Sequence, residues 1–184
     1  MGYICKVKQG NLLQEEDATF IVNASNTRLV LGSGVSMAFK HHCGTVLQQE
    51  MLELYQNVDK PIVQGTVFAT SAGNATNFQY ALHASVMNFN QGTRYVEKIP
   101  TLQTIRDILE NIEGYLNWYT QKNSQPIKLV LPLMGCGVGG LEKEAVINEY
   151  KTFFERKVTF ECKVVVYGYS YDDYTLLESI CRKV

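Results

Sequence analysis

A long amphipathic helix pattern, followed closely by an almost wholly apolar run, constrains the fold of this chain most. Between residues 101 and 121, apolar side chains recur with the 3.6-residue period of a helix that buries one face. Residues 127–133, which follow Pro126, are the most apolar run in the chain. A strand without alternating polar positions needs cover on both faces, as in a sheet flanked by helices.

The rest of the chain alternates between strand and helix patterns in the same way. We predict further strands at residues 3–8 (an edge strand), 19–22, 65–71, 80–87 and 163–169. We predict further helices at residues 34–57 with a break near Gly44, 141–155 and 172–181. This alternation predicts an α/β fold with a mostly parallel sheet and helices on both faces, formed as one domain by residues 1–184.

The charge balance limits the kind of ligand to expect. The 184 residues are 46% hydrophobic and 19% charged, and their formal net charge is −1. A protein that binds nucleic acid by neutralising phosphates would be expected to carry a basic excess. Phosphate recognition is therefore expected to come from backbone N–H groups, which favours a small ligand over a nucleic acid.

The cysteines and the hydropathy indicate an intracellular chain without structural metal. Five cysteines are scattered without a CxxC pair, which argues against both a disulfide framework and a zinc site. The sequence has no apolar signal segment at its start and no run long enough to span a membrane. We expect a cytoplasmic protein with no membrane partner, no metal and no cofactor.

Two glycine-rich segments each follow a predicted strand and lead into a predicted helix. The first is VNASN with LGSGV (residues 22–26 and 31–35), and the second is LPLMGCGVGG (residues 131–140). In parallel sheets, ligands bind at the carboxyl ends of the strands. Glycines let backbone N–H groups approach an anion, and the following helix N-terminus adds partial positive charge. Together the two segments predict a site for a phosphate-and-ribose ligand.

These segments match neither common nucleotide-binding motif. Neither contains GxxxxGK[ST], and the first lacks the GxGxxG spacing of a dinucleotide fold. In combination they resemble the macrodomain family, which binds ADP-ribose and often hydrolyses its linkages. The resemblance covers nearly the whole chain and includes GTVFATSAGN and YALHASV between the two segments. It implies a three-layer α/β/α sandwich with a mixed, mostly parallel central sheet.

The resemblance also implies roles for individual residues. Asn26 is expected to hydrogen-bond the distal ribose, and Asn23 to fix the geometry of the loop. Tyr169 matches an aromatic position near the adenosine. Backbone donors to the phosphate nearer the distal ribose are expected from Gly32, Ser33, Gly34 and Val35. The diphosphate is expected to be covered from the other side by Gly135, Cys136, Gly137, Val138, Gly139 and Gly140.

Three positions depart from the family pattern. Asn11 stands where the family carries an adenine-reading acid, and its amide lacks the charge that strengthens such a hydrogen bond. Ser36 stands where one hydrolytic class carries an aspartate, and a serine cannot act as a carboxylate base. Gly139 replaces an aromatic residue or an aspartate. A second hydrolytic class uses a lysine nucleophile that we cannot align here, although GVSMAFKHHCG resembles that class around the first helix.

The catalytic residues therefore stay unassigned, with Asn26, Ser36 and His41 as candidates. His83 is interpreted as a core or loop-supporting residue. Cys136 lies before a helix N-terminus, which is expected to lower the pKa of its thiol if it acts as a nucleophile.

Three functions remain open. The first is a binding module for ADP-ribose or ADP-ribosylated protein. The second is a hydrolase of ADP-ribose esters, which includes removal of ADP-ribose from acidic side chains and deacetylation of O-acetyl-ADP-ribose, with the ligand diphosphate helping to position the water. The third is a single-stranded RNA binder, against which the charge balance argues. The sequence does not predict the oligomeric state.

Overall fold

Six strands form one sheet in the order β1-β6-β5-β2-β4-β3. The computed structural model describes residues 1–32 and 34–181. All neighbouring strands are parallel except β3, which runs antiparallel to β4. The strands are β1 (Gly2–Gln9), β2 (Ala18–Asn26), β3 (Val67–Ser71), β4 (Phe78–Met87), β5 (Ile127–Pro132) and β6 (Glu161–Gly168). The prediction of a mixed, mostly parallel sheet is confirmed, and β1 is an edge strand as expected.

Six α-helices accompany the sheet. They are α1 (Val35–Cys43), α2 (Thr45–Asn57), α3 (Tyr95–Lys98), α4 (Leu102–Lys122), α5 (Lys143–Phe154) and α6 (Tyr171–Leu177) in the part of the chain that the structure describes. Short 3-10 turns lie at Leu12–Gln14 and Glu178–Ile180. The predicted break near Gly44 is confirmed, because Gly44 has a φ of +77° and separates α1 from α2. A Cβ there would lie 2.7 Å from the Asn74 side chain, so this turn requires glycine.

The sheet is buried on both faces, as its apolar strands require. Phe20 and Val22 of β2 belong to the core between the sheet and helices α4 and α5. Ile21, which points to the opposite face, packs in a second core with Phe39 of α1 and Met51 of α2. Because successive residues of β2 enter different cores, the three-layer arrangement follows directly from its continuous apolar pattern.

The two glycine-rich loops leave neighbouring strands of this sheet. β2 and β5 pair directly, with Phe20 opposite Leu129 and Ile21 opposite Val130. The first loop (residues 27–34) follows β2, and the second loop (residues 133–142) follows β5. Since these strands are parallel, both loops lie at the same edge of the sheet. None of the helices in the described residues is long and apolar enough to cross a membrane.

Candidate ligand-binding site

The second loop folds tightly around its own glycines. The N–H of Leu141 donates to the carbonyl of Gly135 at 2.9 Å, and the N–H of Gly140 donates to that of Gly137 at 3.1 Å. A Cβ at Gly139 would lie 2.6 Å from the Gly135 oxygen and 2.9 Å from Pro100. Glycine is therefore required at this position for the loop to close.

A buried tyrosine fixes the start of the second loop. The hydroxyl of Tyr150, on α5, donates to the carbonyl of Pro132 at 2.7 Å and accepts from the N–H of Met134 at 3.0 Å. Tyr150 is fully buried, and burial raises the pKa of its hydroxyl, which therefore keeps its proton. These two hydrogen bonds from α5 thus fix the direction in which the second loop leaves β5.

The N–H groups at the centre of the second loop have no protein acceptor. Those of residues 135–139 donate no hydrogen bond to any other residue that the structure describes. In the same segment, Val138 has 82% of its surface exposed and Cys136 is half-buried. A run of unpaired backbone donors at the carboxyl edge of a parallel sheet can bind the oxygens of a phosphate.

Side chains hold the first loop in shape. The Asn26 side chain donates to the carbonyl of Val30 at 2.9 Å and accepts from the N–H of Arg28 at 3.0 Å. Gln48 on α2 accepts from the N–H of Leu31 at 2.7 Å and donates to the carbonyl of Leu29 at 3.2 Å. Asn26, predicted to bind the ribose, is thus also the residue that closes its own loop, and its amide retains one further N–H.

Beyond this closed part, the end of the first loop and the start of α1 carry unpaired donors. The N–H groups of Gly32, Gly34, Val35 and Ser36 make no hydrogen bond to another described residue. Gly34 is the N-cap of α1 and offers no side-chain cap to the helix start. Ser33 lies outside the described residues. The open end of α1 therefore adds the partial positive charge of a helix N-terminus to this edge of the sheet.

Asn23 and Ser36 lie behind the first loop rather than on its open side. Asn23 is fully buried and the Ser36 side chain is 4% exposed. The Ser36 hydroxyl donates to the Asn23 side-chain oxygen at 2.9 Å, with the carbonyl of Ala24 at 3.1 Å. Asn23 in turn meets the His83 ring at 3.0 Å. Both side chains therefore use their polar groups to join β2, β4 and α1.

The other catalytic candidates are also poorly placed for acid–base chemistry. His41 lies in the last turn of α1, about 9 Å along the helix axis from its first residue. His83 is fully buried, and burial lowers the pKa of its ring to about 3, so the ring stays neutral. The expectation of a lowered pKa for the Cys136 thiol is wrong, because burial raises that pKa to about 11.

The predicted adenosine end lies two strands away from the first loop. The N–H of Gly10, after β1, donates to the carbonyl of Gly168 at 3.0 Å and joins the ends of β1 and β6. Next to this bond, Tyr169 exposes 85% of its surface. The Asn11 side-chain oxygen accepts from the N–H of Leu13 at 3.0 Å. This oxygen has a second lone pair, which can accept from an adenine amino group while the cap is kept.

Sequence reasoning missed the residues that hold the loops. Gln48, Tyr150 and Pro100 lie on helices or in the segment before one, and no local pattern marks them as loop supports. An apolar groove of about 470 Å³, lined in part by Tyr80 and Trp118, lies between α4 and the β3–β4 pair and contains no residue of either loop. Among the described residues, no three His, Cys, Asp or Glu side chains are grouped to hold a metal ion.

Comparisons with known proteins agree with this fold. An uncharacterized protein of Aquifex aeolicus is 31% identical over 153 residues, which cover 80% of this chain and 81% of that protein. The Oceanobacillus iheyensis macrodomain with ADP is similar in fold, with a TM-score of 0.75 and 21% identity over 96% of this chain and 88% of that one. The Trypanosoma brucei macrodomain in complex with ADP-ribose has a TM-score of 0.67 and 19% identity, over 96% of this chain and 68% of that one.

The sequence match to a family covers both loops. It extends over residues 22–149, which include the second half of β2, the first loop, β5 and the second loop. Since this range is more than half of the 184 residues, the chain belongs to the Macro domain family.

Proposed function

We propose that this chain binds ADP-ribose, free or attached to a protein, at the edge of the sheet from which the first and second loops leave. The observation that carries the proposal is a set of backbone N–H groups without an acceptor among the described residues, at residues 32, 34–36 and 135–139, which follow the neighbouring strands β2 and β5. Two structures of the same fold support it, because one contains ADP and the other ADP-ribose.

In this proposal, the parts of the ligand lie along the carboxyl edge of the sheet. The diphosphate would accept hydrogen bonds from both loops and face the N-terminus of α1. The distal ribose would lie at Asn26, whose amide has one N–H left after closing the first loop. The adenosine would extend across β5 and β6 towards Tyr169 and Asn11, which lie at the ends of β6 and β1.

The side chains favour binding over hydrolysis. The hydroxyl of Ser36 is buried and donates inward, the thiol of Cys136 keeps its proton, and His41 lies at the far end of α1. Hydrolysis of an ADP-ribose ester here would require a water positioned by the ligand's own diphosphate. Release of ADP-ribose from mono-ADP-ribosylated protein, or of acetate from O-acetyl-ADP-ribose, above the uncatalysed rate would contradict a binding-only role.

Calorimetric titration tests the binding itself. We expect the affinity to fall from ADP-ribose to ADP to AMP, because each step removes the distal ribose or a phosphate from the proposed contacts. The absence of ADP-ribose binding at millimolar ligand would contradict the proposal. A single-stranded RNA oligonucleotide serves as a competitor, and preferential RNA binding would favour the third function considered from the sequence.

A further inference from the structure

Four buried polar side chains form a hydrogen-bonded row across the sheet, from its antiparallel edge to the first helix. They are Thr70 of β3, His83 of β4, Asn23 of β2 and Ser36 of α1, and none has more than 5% of its surface exposed. The three distances along this polar row are 2.7 Å from Thr70 to His83, 3.0 Å from His83 to Asn23 and 2.9 Å from Asn23 to Ser36.

The donors and acceptors of the polar row run in one direction. The Thr70 hydroxyl has one hydrogen, and when it donates this hydrogen to the carbonyl of Ser71 at 2.9 Å, it accepts from the His83 ring at 2.7 Å. In this arrangement His83 carries its hydrogen on Nε2 and leaves Nδ1 as an acceptor. Burial keeps the ring neutral, with a pKa lowered to about 3, so no second ring proton competes.

This tautomer fixes the amide of Asn23. Because Nδ1 of His83 accepts, Asn23 must turn its NH₂ group towards the ring and its oxygen towards α1. The oxygen then faces the Ser36 hydroxyl at 2.9 Å and is the nearer of its two acceptors, with the carbonyl of Ala24 at 3.1 Å. The opposite tautomer would favour a flipped amide, which would present an NH₂ group to Ser36 instead.

Ser36 is the second residue of α1, and its position matters because that helix lacks a side-chain cap. The first turn is stabilised by the bonds from Met37 and Ala38 to the carbonyl of Gly34, at 3.1 and 3.2 Å. The link from Ser36 to Asn23 and the carbonyl of Ala24 ties this turn to the end of β2. The open N–H groups of Gly34, Val35 and Ser36 belong to the same turn.

We propose that Ser36 is a positioning residue that holds the first turn of α1 against β2, so that the N–H groups of this turn face the ligand phosphate. Thr70 supports Ser36 through His83, because the His83 tautomer sets the orientation of the Asn23 amide. The inference rests on the proposed function. It gives Ser36 a role in binding that does not require it to touch the ligand or to replace an acidic base.

The test compares Ser36→Ala, Thr70→Val and Thr70→Ser with a control variant, Thr66→Val, whose hydroxyl bonds to Val63 outside the polar row. We expect Ser36→Ala to weaken ADP-ribose binding about tenfold, because the lost hydrogen bond aligns the N–H donors of the first turn. We also expect amide exchange at Met37 and Ala38 to become faster. Thr70→Val should weaken binding less, Thr70→Ser should restore it, and Thr66→Val should bind like the wild type.

A second readout follows the polar row without any ligand. Nitrogen NMR of the His83 ring should show the hydrogen on Nε2 in the wild type and in Thr70→Ser. Thr70→Val should lose this preference. If the wild type fails to bind ADP-ribose, the proposed function fails, while amide exchange and the His83 tautomer still test the polar row. Wild-type exchange in Ser36→Ala, or an unchanged tautomer in Thr70→Val, would overturn the inference.

Discussion

The first and second loops present the same kind of backbone donors but keep their shapes by different means. Side chains hold the first loop, with Asn26 closing it from within and Gln48 reaching it from α2. Backbone contacts that require glycine hold the second loop, with Tyr150 fixing its start. A loop held by side chains depends on distant residues, whereas a loop held by glycines depends on the absence of a Cβ at set positions.

The largest effect is expected from Gly139→Val in the second loop. The new side chain would overlap the Gly135 carbonyl and Pro100, which would lie 2.6 and 2.9 Å from its Cβ. We expect a loss of about 3 kcal/mol in the free energy of unfolding, as for overpacking in a closed site, and loss of measurable ADP-ribose binding. Thermal unfolding and calorimetry measure both effects.

Gly137→Ala is the matched control for that variant. A Cβ at Gly137 would have no atom within 4 Å, so the unliganded fold should keep its stability. Equal destabilisation by Gly139→Val and Gly137→Ala would mean that the second loop is not held by close contacts at Gly139.

Tyr150→Phe should act on the same loop from beneath. Removing the hydroxyl leaves the buried carbonyl of Pro132 and the N–H of Met134 without their partner. We expect about 2 kcal/mol less stability, with a weaker effect on binding than that of Gly139→Val. Chemical denaturation measures the stability, and Tyr171→Phe, at an exposed position on α6, should leave it unchanged.

Gln48→Ala should loosen the first loop and leave the second unaffected. The N–H of Leu31 and the carbonyl of Leu29 would lose their side-chain partner, which we expect to cost about 1 kcal/mol. Hydrogen exchange should quicken at Leu31 and stay unchanged at Leu141. The neighbouring exposed variant Gln49→Ala should resemble the wild type, and faster exchange at Leu141 in Gln48→Ala would show that the loops are not independently held.

The smallest effect is expected from Asn11→Asp, outside both loops. An aspartate can still cap the turn at Leu12–Gln14, and its charge strengthens a hydrogen bond from the adenine amino group. We expect ADP-ribose to bind about threefold more tightly by calorimetry, which corresponds to less than 1 kcal/mol. The hypoxanthine analogue of ADP-ribose lacks that amino group, so an equal gain with this analogue would contradict adenine recognition at residue 11.

The sequence predicted the fold well because its signals are local. The continuous apolar runs and the 3.6-residue period of residues 101–121 predict buried strands and an amphipathic helix without reference to other parts of the chain, and the helix is observed at Leu102–Lys122. β2 is the instructive exception, since it was predicted at residues 19–22 and extends over Ala18–Asn26. Its last residues look like a polar loop, but Asn23 and Asn26 are buried and use their polar groups within the protein.

The site was predicted less completely because its supports come from far along the chain. The glycines and their order predict the two loops, but the sequence cannot show which way a side chain points. Ser36, which the resemblance places where one hydrolytic class carries an aspartate, turns its hydroxyl inward to Asn23, 13 residues earlier. Tyr150 lies 18 residues after the carbonyl that it binds, and Thr70 lies 13 residues before His83. Such pairings depend on the packing of helices on strands.

The central claim is that backbone N–H groups from both loops bind one diphosphate, and an amide NMR titration with ADP tests it most directly. We expect the resonances of Gly34, Val35 and Ser36 to shift together with those of residues 135–139, along one binding curve. Shifts confined to one loop, or centred on Trp118 in the groove beside α4, would contradict it.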